Sequence, residues 1–182
     1  HIGLADNKNL RRHAEALQRL NIHLRIIGEP SEADTLLLKQ LKIEYSAQSK
    51  LTDVEMQHAY ATSDFLLFAS TLEGFGMPIL EAQMVGLPVI CSKECGASCL
   101  INGESMGAVF DAGNTAELAR IFDLKMKVSA VERASQGESV IEWSTLISGE
   151  SMANYFMDLM NHIYSNASRA TPPWGSNEAS IS

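Results

Sequence analysis

The chain has no basic stripe. Its 14 Lys and Arg residues are outnumbered by 22 Asp and Glu, the net charge is -8, and Arg11-Arg12 is its one adjacent basic pair. That balance excludes a nucleic-acid-binding face, which needs clustered cations against the phosphates. No apolar run reaches the length of a membrane span, and no basic-then-apolar leader opens the sequence. The expectation is a soluble, cytoplasmic protein with no transmembrane segment and no nucleic-acid partner. Cysteine is scarce: Cys91, Cys95 and Cys99 are an odd set at spacings that match no common zinc pattern, and Cys91 simply continues the apolar run Pro88-Val89-Ile90. They read as small buried or free thiols. The five histidines are scattered, without His-x-x-x-His or Cys-His pairing, so no metal site and no nucleophile-base couple is expected. An initial Met is also lacking. His1, followed at once by what reads as the end of a strand, suggests a piece of something longer.

What is present is apolar periodicity. With 182 residues, 46% of them hydrophobic, the chain is long enough for one well-buried domain and too short for two of ordinary size. Strand and helix templates alternate along it. Ile2 to Leu4 reads as a strand remnant and Asn9 to Leu20 as a helix, with Leu10, Ala14, Leu17 and Leu20 at helical spacing. Leu24 to Ile27 is a strand stopped by Gly28 and Pro30, Glu32 to Leu41 a leucine-rich helix, and Ile43 to Tyr45 a short strand. Thr52 with Glu55 forms a capping box that opens a helix to Ala61. Phe65 to Phe68 lacks polar alternation, as a strand buried on both faces should. A helix from Pro78 to Val85, ended by Gly86, leads to a strand at Pro88 to Cys91; Gly107 to Phe110 is the last strand and Thr115 to Met126 the next helix. Such alternation predicts a doubly wound α/β domain, a parallel sheet with helices on both faces, followed by C-terminal helices to Tyr164. The tail 165–182, rich in Ser and Asn around Pro172-Pro173, is expected to be disordered, leaving 1–164 as the domain.

Ligands of such folds sit beyond the carboxyl ends of the strands. After the strand Phe65 to Phe68 comes Glu73-Gly74-Phe75-Gly76-Met77-Pro78-Ile79-Leu80-Glu81, two carboxylates eight positions apart around a glycine turn that opens a helix. Pro78 suits a first helical position, and the free N–H groups and positive dipole end there attract an anion. Glu73 and Glu81 accept hydrogen bonds only, so their fitting partners are neutral hydroxyls, of a sugar and of a ribose. Taken singly, Glu81 is a first-turn glutamate that favours the dipole and Phe75 is a core side chain; the combination carries the functional reading.

On these residues the chain resembles the C-terminal, nucleotide-sugar-binding half of the retaining GT-B glycosyltransferases of family 4. The likeness runs from Ile2-Gly3 and Asn7-Lys8-Asn9 through Ala61-Thr62-Ser63-Asp64, the Glu73 to Glu81 motif, Gly86-Leu87-Pro88-Val89-Ile90 and Gly107 to Asn114. It implies a Rossmann-like half of a GT-B fold, and an N-terminal acceptor domain that lies outside this chain. It also implies roles. Glu81 would bind the ribose hydroxyls, Glu73 would orient the donor sugar, and the backbone of Gly74, Phe75, Gly76 and Met77 would meet the sugar and diphosphate. Lys8 stands where the family has a phosphate-binding lysine, a cation that stabilises the leaving group, which makes Lys8 and Glu73 the catalytic pair. The family's usual arginine a few residues earlier is replaced near Leu4. Tyr45 and Ser46 lie at the strand end where the base pocket is expected, and Trp143-Ser144 is similar to an aromatic feature before the family's final helix.

The activity so implied is transfer of a sugar from a nucleotide-diphosphate sugar to an acceptor hydroxyl, with anomeric configuration retained and without metal or other cofactor. The acceptor would be a glycan or lipid-linked sugar, met through the missing domain at the inner face of the membrane, as in polysaccharide biosynthesis; the isolated domain would be inactive. Two alternatives of other classes stand beside it: a nucleotide-sugar-binding module without activity, and another GT-B enzyme such as a nucleotide-sugar epimerase or a phosphorylase.

Overall fold

The computed structural model describes residues 1–74, 76–101, 103–128, 132, 135–138 and 140–141, all within one compact unit, His1–Thr145. Along them α1 (Leu10–Leu17), β1 (His23–Ile27), α2 (Glu32–Gln40), β2 (Glu44–Gln48), α3 (Asp53–Ala61), β3 (Leu66–Phe68), α4 (Met77–Met84), β4 (Val89–Ser92), β5 (Gly107–Phe110) and α5 (Thr115–Met126) follow in order. The expected tail from Ser165 and the Trp143-Ser144 feature lie outside the described residues.

Every strand pair among the described residues is parallel, as strands separated by crossover helices must be. β1 pairs with β2, and β4 lies between β3 and β5. Ahead of α1, Ile2 bridges Ile27 in parallel, and Gly3 N–H donates to Ile27 O at 2.9 Å, so the first residues run beside β1. Helices cover both sides. α1 packs against α2 and α5, while α3 packs against α4, which rests on β3 and β4. The core on the first side joins Leu10, Ala14 and Leu17 of α1 to Leu38 of α2, Leu118 and Phe122 of α5, and the strand residues Ile26, Leu67 and Ile90. This is a Rossmann-like α/β fold with parallel strands, as the periodicity predicts. No helix among the described residues is long and apolar enough to cross a membrane.

Most helix starts are written locally. Thr52 and Glu55 close the expected capping box, and Ser31 with Asp34 closes a second one at α2, where the shorter carboxylate makes the same reciprocal pair. Two elements differ from expectation. α1 ends at Leu17, because Leu20 N–H turns back to Leu17 O at 2.9 Å and redirects the chain into β1. β2 runs over Glu44–Gln48 rather than Ile43 to Tyr45. Ile43 is buried just ahead of it, and the polar residues after Tyr45 keep pairing with β1 as far as Gln48. Backbone ladder bonds at a strand paired on one side do not require apolar side chains.

His13 ties α1 to the end of β3. Its Nε2 lies 3.3 Å from Ala69 O, which can only accept, so Nε2 carries the proton and Nδ1 accepts from His1 at 3.2 Å. Burial, the main cause, holds this imidazole down at about 4 from its ordinary 6.5, against the opposing pull of the Ala69 carbonyl.

Two measurements test this packing. Gly107 has φ +135, and a Cβ there would lie 1.8 Å from Val89 O, a backbone atom that no rotamer change can move. Gly107→Ala should therefore cost about 3 kcal/mol in urea denaturation, from strain and overpacking together. Gly74→Ala, whose Cβ meets nothing within 4 Å, should stay within about 0.5 kcal/mol. For His13, the unfolded chain takes up a proton below pH 6.5 that the folded one refuses until about 4. Stability should fall as pH falls through that window, by up to about 3 kcal/mol. His13→Gln should flatten that part of the curve, and an unchanged slope in the variant would show that another group is responsible.

Candidate functional site

The site is assembled where two loops meet beyond the carboxyl ends of the strands. The 3-10 turn Asp6–Lys8 follows the strand remnant, and residues 69–74 follow β3. Asn7 stitches them together: its Nδ2 donates to Leu72 O at 2.9 Å, and its own carbonyl accepts from Thr71 N–H at 2.8 Å. Lys8 and Glu73 are thereby brought into contact, Lys8 Nζ donating to Glu73 Oε2. Ser70 Oγ is 3.4 Å from the same oxygen, and Lys8 Nζ stands 4.8 Å over the Phe68 ring, a cation–π distance. On its far side Glu73 forms a parallel bridge with Cys95.

The next residues open α4. Gly76 is its N-cap, left-handed at φ +93, and no side chain caps the helix. Pro78 has no N–H and Ile79 N–H donates to Gly76 O at 2.9 Å, so the Met77 N–H and the helix dipole are what this start offers an outside anion. Gly76 is also required sterically, since a Cβ would lie 2.6 Å from Cys95 Sγ and 3.3 Å from Phe68 Cε1. The glycine turn lies directly on that sulfur. Cys91 and Cys95 are buried and Cys99 is exposed. A hydrogen bond between Cys91 and Cys95 pushes the first thiol up and draws the second down. Among the described residues no three His, Cys, Asp or Glu side chains are grouped to hold a metal ion.

Glu81 is one turn into α4, exposed, and has a partner that spacing does not reveal: Tyr60 of α3 donates its hydroxyl to Glu81 Oε2 at 2.8 Å. Burial, and then that carboxylate, raise the Tyr60 pKa far above the ordinary phenol value. A cavity of about 300 Å³ beside the pair is bordered by Asp53, Met56 and Gln57. Glu73 and Glu81 thus hold different partners, Lys8 and Tyr60, on the two sides of the α4 start.

The sequence-predicted residues are not all gathered. Lys8, Glu73, Gly74, Gly76 and Met77 surround the glycine turn, with Glu81 on the helix behind it; Phe75 lies outside the described residues. Tyr45 and Ser46 are elsewhere. They do not end their strand, as expected, but sit inside β2 opposite Leu24 and Arg25, and Ser46 Oγ is 2.9 Å from His23 Nε2 toward the amino end. The strand end is instead Gln48, followed by Ser49, which donates to Glu29 Oε1 at 2.7 Å. A larger cavity, about 400 Å³, opens at the amino ends of the strands beside His23 and Phe65, and none of the predicted residues lines it. Asn7 and Tyr60 are the residues that sequence reasoning missed. Asn7 had one available signal, its place beside Lys8; Tyr60 had none.

Known proteins are similar to this chain. The family model described as glycosyl transferases group 1 matches residues 3–138. O-antigen chain mannosyltransferase B of Escherichia coli is 45% identical over 41 residues, which are 22% of this chain and 11% of that protein. Among solved structures, sucrose-phosphate synthase from Thermosynechococcus elongatus superposes with TM-score 0.71 and 17% identity over 88% of this chain and 43% of the other. Anabaena HepE in complex with UDP-glucose gives 0.68 and 20% over 89% of this chain and 46% of that one. The chain spans less than half of each of these three proteins, and the two structures share its fold.

The side chains of Lys8 and Glu73 are 20% and 22% exposed, so solvent screens their attraction only in part. Lys8→Met, which leaves the Glu73 carboxylate without its cation, should cost about 1–3 kcal/mol in urea denaturation. A much larger loss would show that the pair is a structural element rather than a poised one.

Proposed function

The chain belongs to the glycosyl transferases group 1 family, and from that premise we propose that it binds a nucleotide-diphosphate sugar and, joined to an N-terminal acceptor domain, transfers the sugar to a hydroxyl with retained configuration. One observation carries this reading: a lysine, a carboxylate and an uncapped helix start converge beyond the carboxyl ends of a parallel sheet. In the proposed complex the diphosphate takes Lys8 and the Met77 N–H at the start of α4. Glu73, released from Lys8, accepts from hydroxyls of the donor sugar, and Glu81 accepts from those of the ribose. The bond from the anomeric carbon to the phosphate oxygen breaks, the acceptor oxygen bonds to that carbon on the same face, and the acceptor proton passes to the departing phosphate. Charge on the leaving diphosphate is met by Lys8 and the helix dipole, which is why no metal is invoked.

The length relations support a longer working protein, since this chain corresponds to under half of the mannosyltransferase, the sucrose-phosphate synthase and HepE. The family 4 assignment, the inactivity of the isolated domain and a polysaccharide or lipid-linked acceptor at the cytoplasmic membrane face belong to the same proposal. The O-antigen relative supports that product class.

Calorimetric titration with UDP, GDP and ADP, in buffer containing a chelator, tests the reading. One of them should bind, and Glu81→Ala should weaken the binding about 10- to 100-fold. Lys8→Ala should weaken it about 10- to 100-fold, the scale of a lost charge-assisted hydrogen bond. Because that variant also leaves Glu73 unpaired beside the diphosphate, Lys8→Ala/Glu73→Gln should bind better than Lys8→Ala alone. If none of the three nucleotides binds, the reading fails for this chain.

A further inference from the structure

Resting on that nucleotide-binding reading, we infer that Tyr60 is a positioning residue that aims the Glu81 carboxylate at the ribose hydroxyls and so sets the preference for ribonucleotides over deoxyribonucleotides. Glu81 is exposed, and a glutamate on a helix surface normally wanders among rotamers. Here its Oε2 is held at 2.8 Å by a phenol whose own body is 6% exposed and cannot follow it. A phenol has one proton to give. Burial and the neighbouring carboxylate both keep that proton in place, so the hydroxyl is a donor throughout the working pH range.

The geometry leaves Oε1 with both lone pairs and Oε2 with one. A ribose offers two adjacent hydroxyl donors, which a fixed carboxylate can accept together. The cavity of about 300 Å³ bordering the pair gives room for such a group. The rotamer freedom that Glu81 would otherwise lose on binding is already spent in the free protein, an advantage of about tenfold in affinity.

A purely structural role is the rival: Tyr60 could use Glu81 only to satisfy a polar atom near the interior. Selectivity separates the two. In calorimetry on the intact chain with UDP, GDP and ADP and their 2′-deoxy counterparts, Tyr60→Phe should lower the ribo-to-deoxy affinity ratio about tenfold, mainly through weaker ribonucleotide binding. A ratio unchanged from wild type, with affinity or stability altered uniformly, overturns the inference. A double variant gives a second test. If Tyr60 acts through Glu81, adding Tyr60→Phe to Glu81→Ala should leave the ribo-to-deoxy ratio of Glu81→Ala unchanged. A further fall in the ratio overturns the inference. Loss of the preference in Glu81→Ala but not in Tyr60→Phe overturns it too and leaves the ribose reading standing without Tyr60; absence of any nucleotide binding by wild type removes both.

Discussion

The contact between Lys8 and Glu73 spans 65 residues of sequence and fastens two loops from different crossovers of the sheet. That partly buried ion pair is not the only tie between the loops. It rests on neutral bonds that do not weaken with salt: Asn7 to the carbonyl of Leu72, and Thr71 N–H to the carbonyl of Asn7. The backbone fixes where the two side chains stand. Their charges are then free to be exchanged for those of a ligand, because breaking the pair need not disturb the loops that present it.

That division of labour would let a strongly acidic chain offer the proposed anion site. The net charge of -8 is spread over its surface, whereas the site needs only one cation and one helix start. Glu73 occupies the lysine in the free protein, so no bare positive charge is displayed. Close to the Phe68 ring and the first turn of α4, short-range contacts outweigh the distant carboxylates, which solvent and salt screen over about 10 Å.

Much of the fold could be read from residues because the decisive interactions are local. Thr52 and Glu55 are three apart, Gly76 and Pro78 mark a helix start, and Gly107 to Phe110 and Thr115 to Met126 occur as expected. β2 could not be read so well, since its pairing with β1 uses backbone groups that polar side chains do not betray. The site divides in the same way. The Glu73 to Glu81 motif is contiguous and was legible, along with Lys8. Tyr60 reaches Glu81 across 21 residues through the packing of α3 on α4, and the strand-end position expected for Tyr45 and Ser46 failed because the ladder runs on past them. Contacts of that kind have no period in the sequence.

Cys95 acts as a mechanical stop beneath the glycine turn. With its sulfur under Gly76 and its backbone bridged to Glu73, the segment after β4 forms a ledge on which the start of α4 is seated. A seated helix cannot sink toward the sheet to meet a smaller ligand, nor can the glycine turn fold under it. The site thus has a fixed depth and an adjustable wall. Adaptation to the proposed ligand would fall to the side chains of Lys8 and Glu73, and the volume of the residue at position 95 sets the gauge.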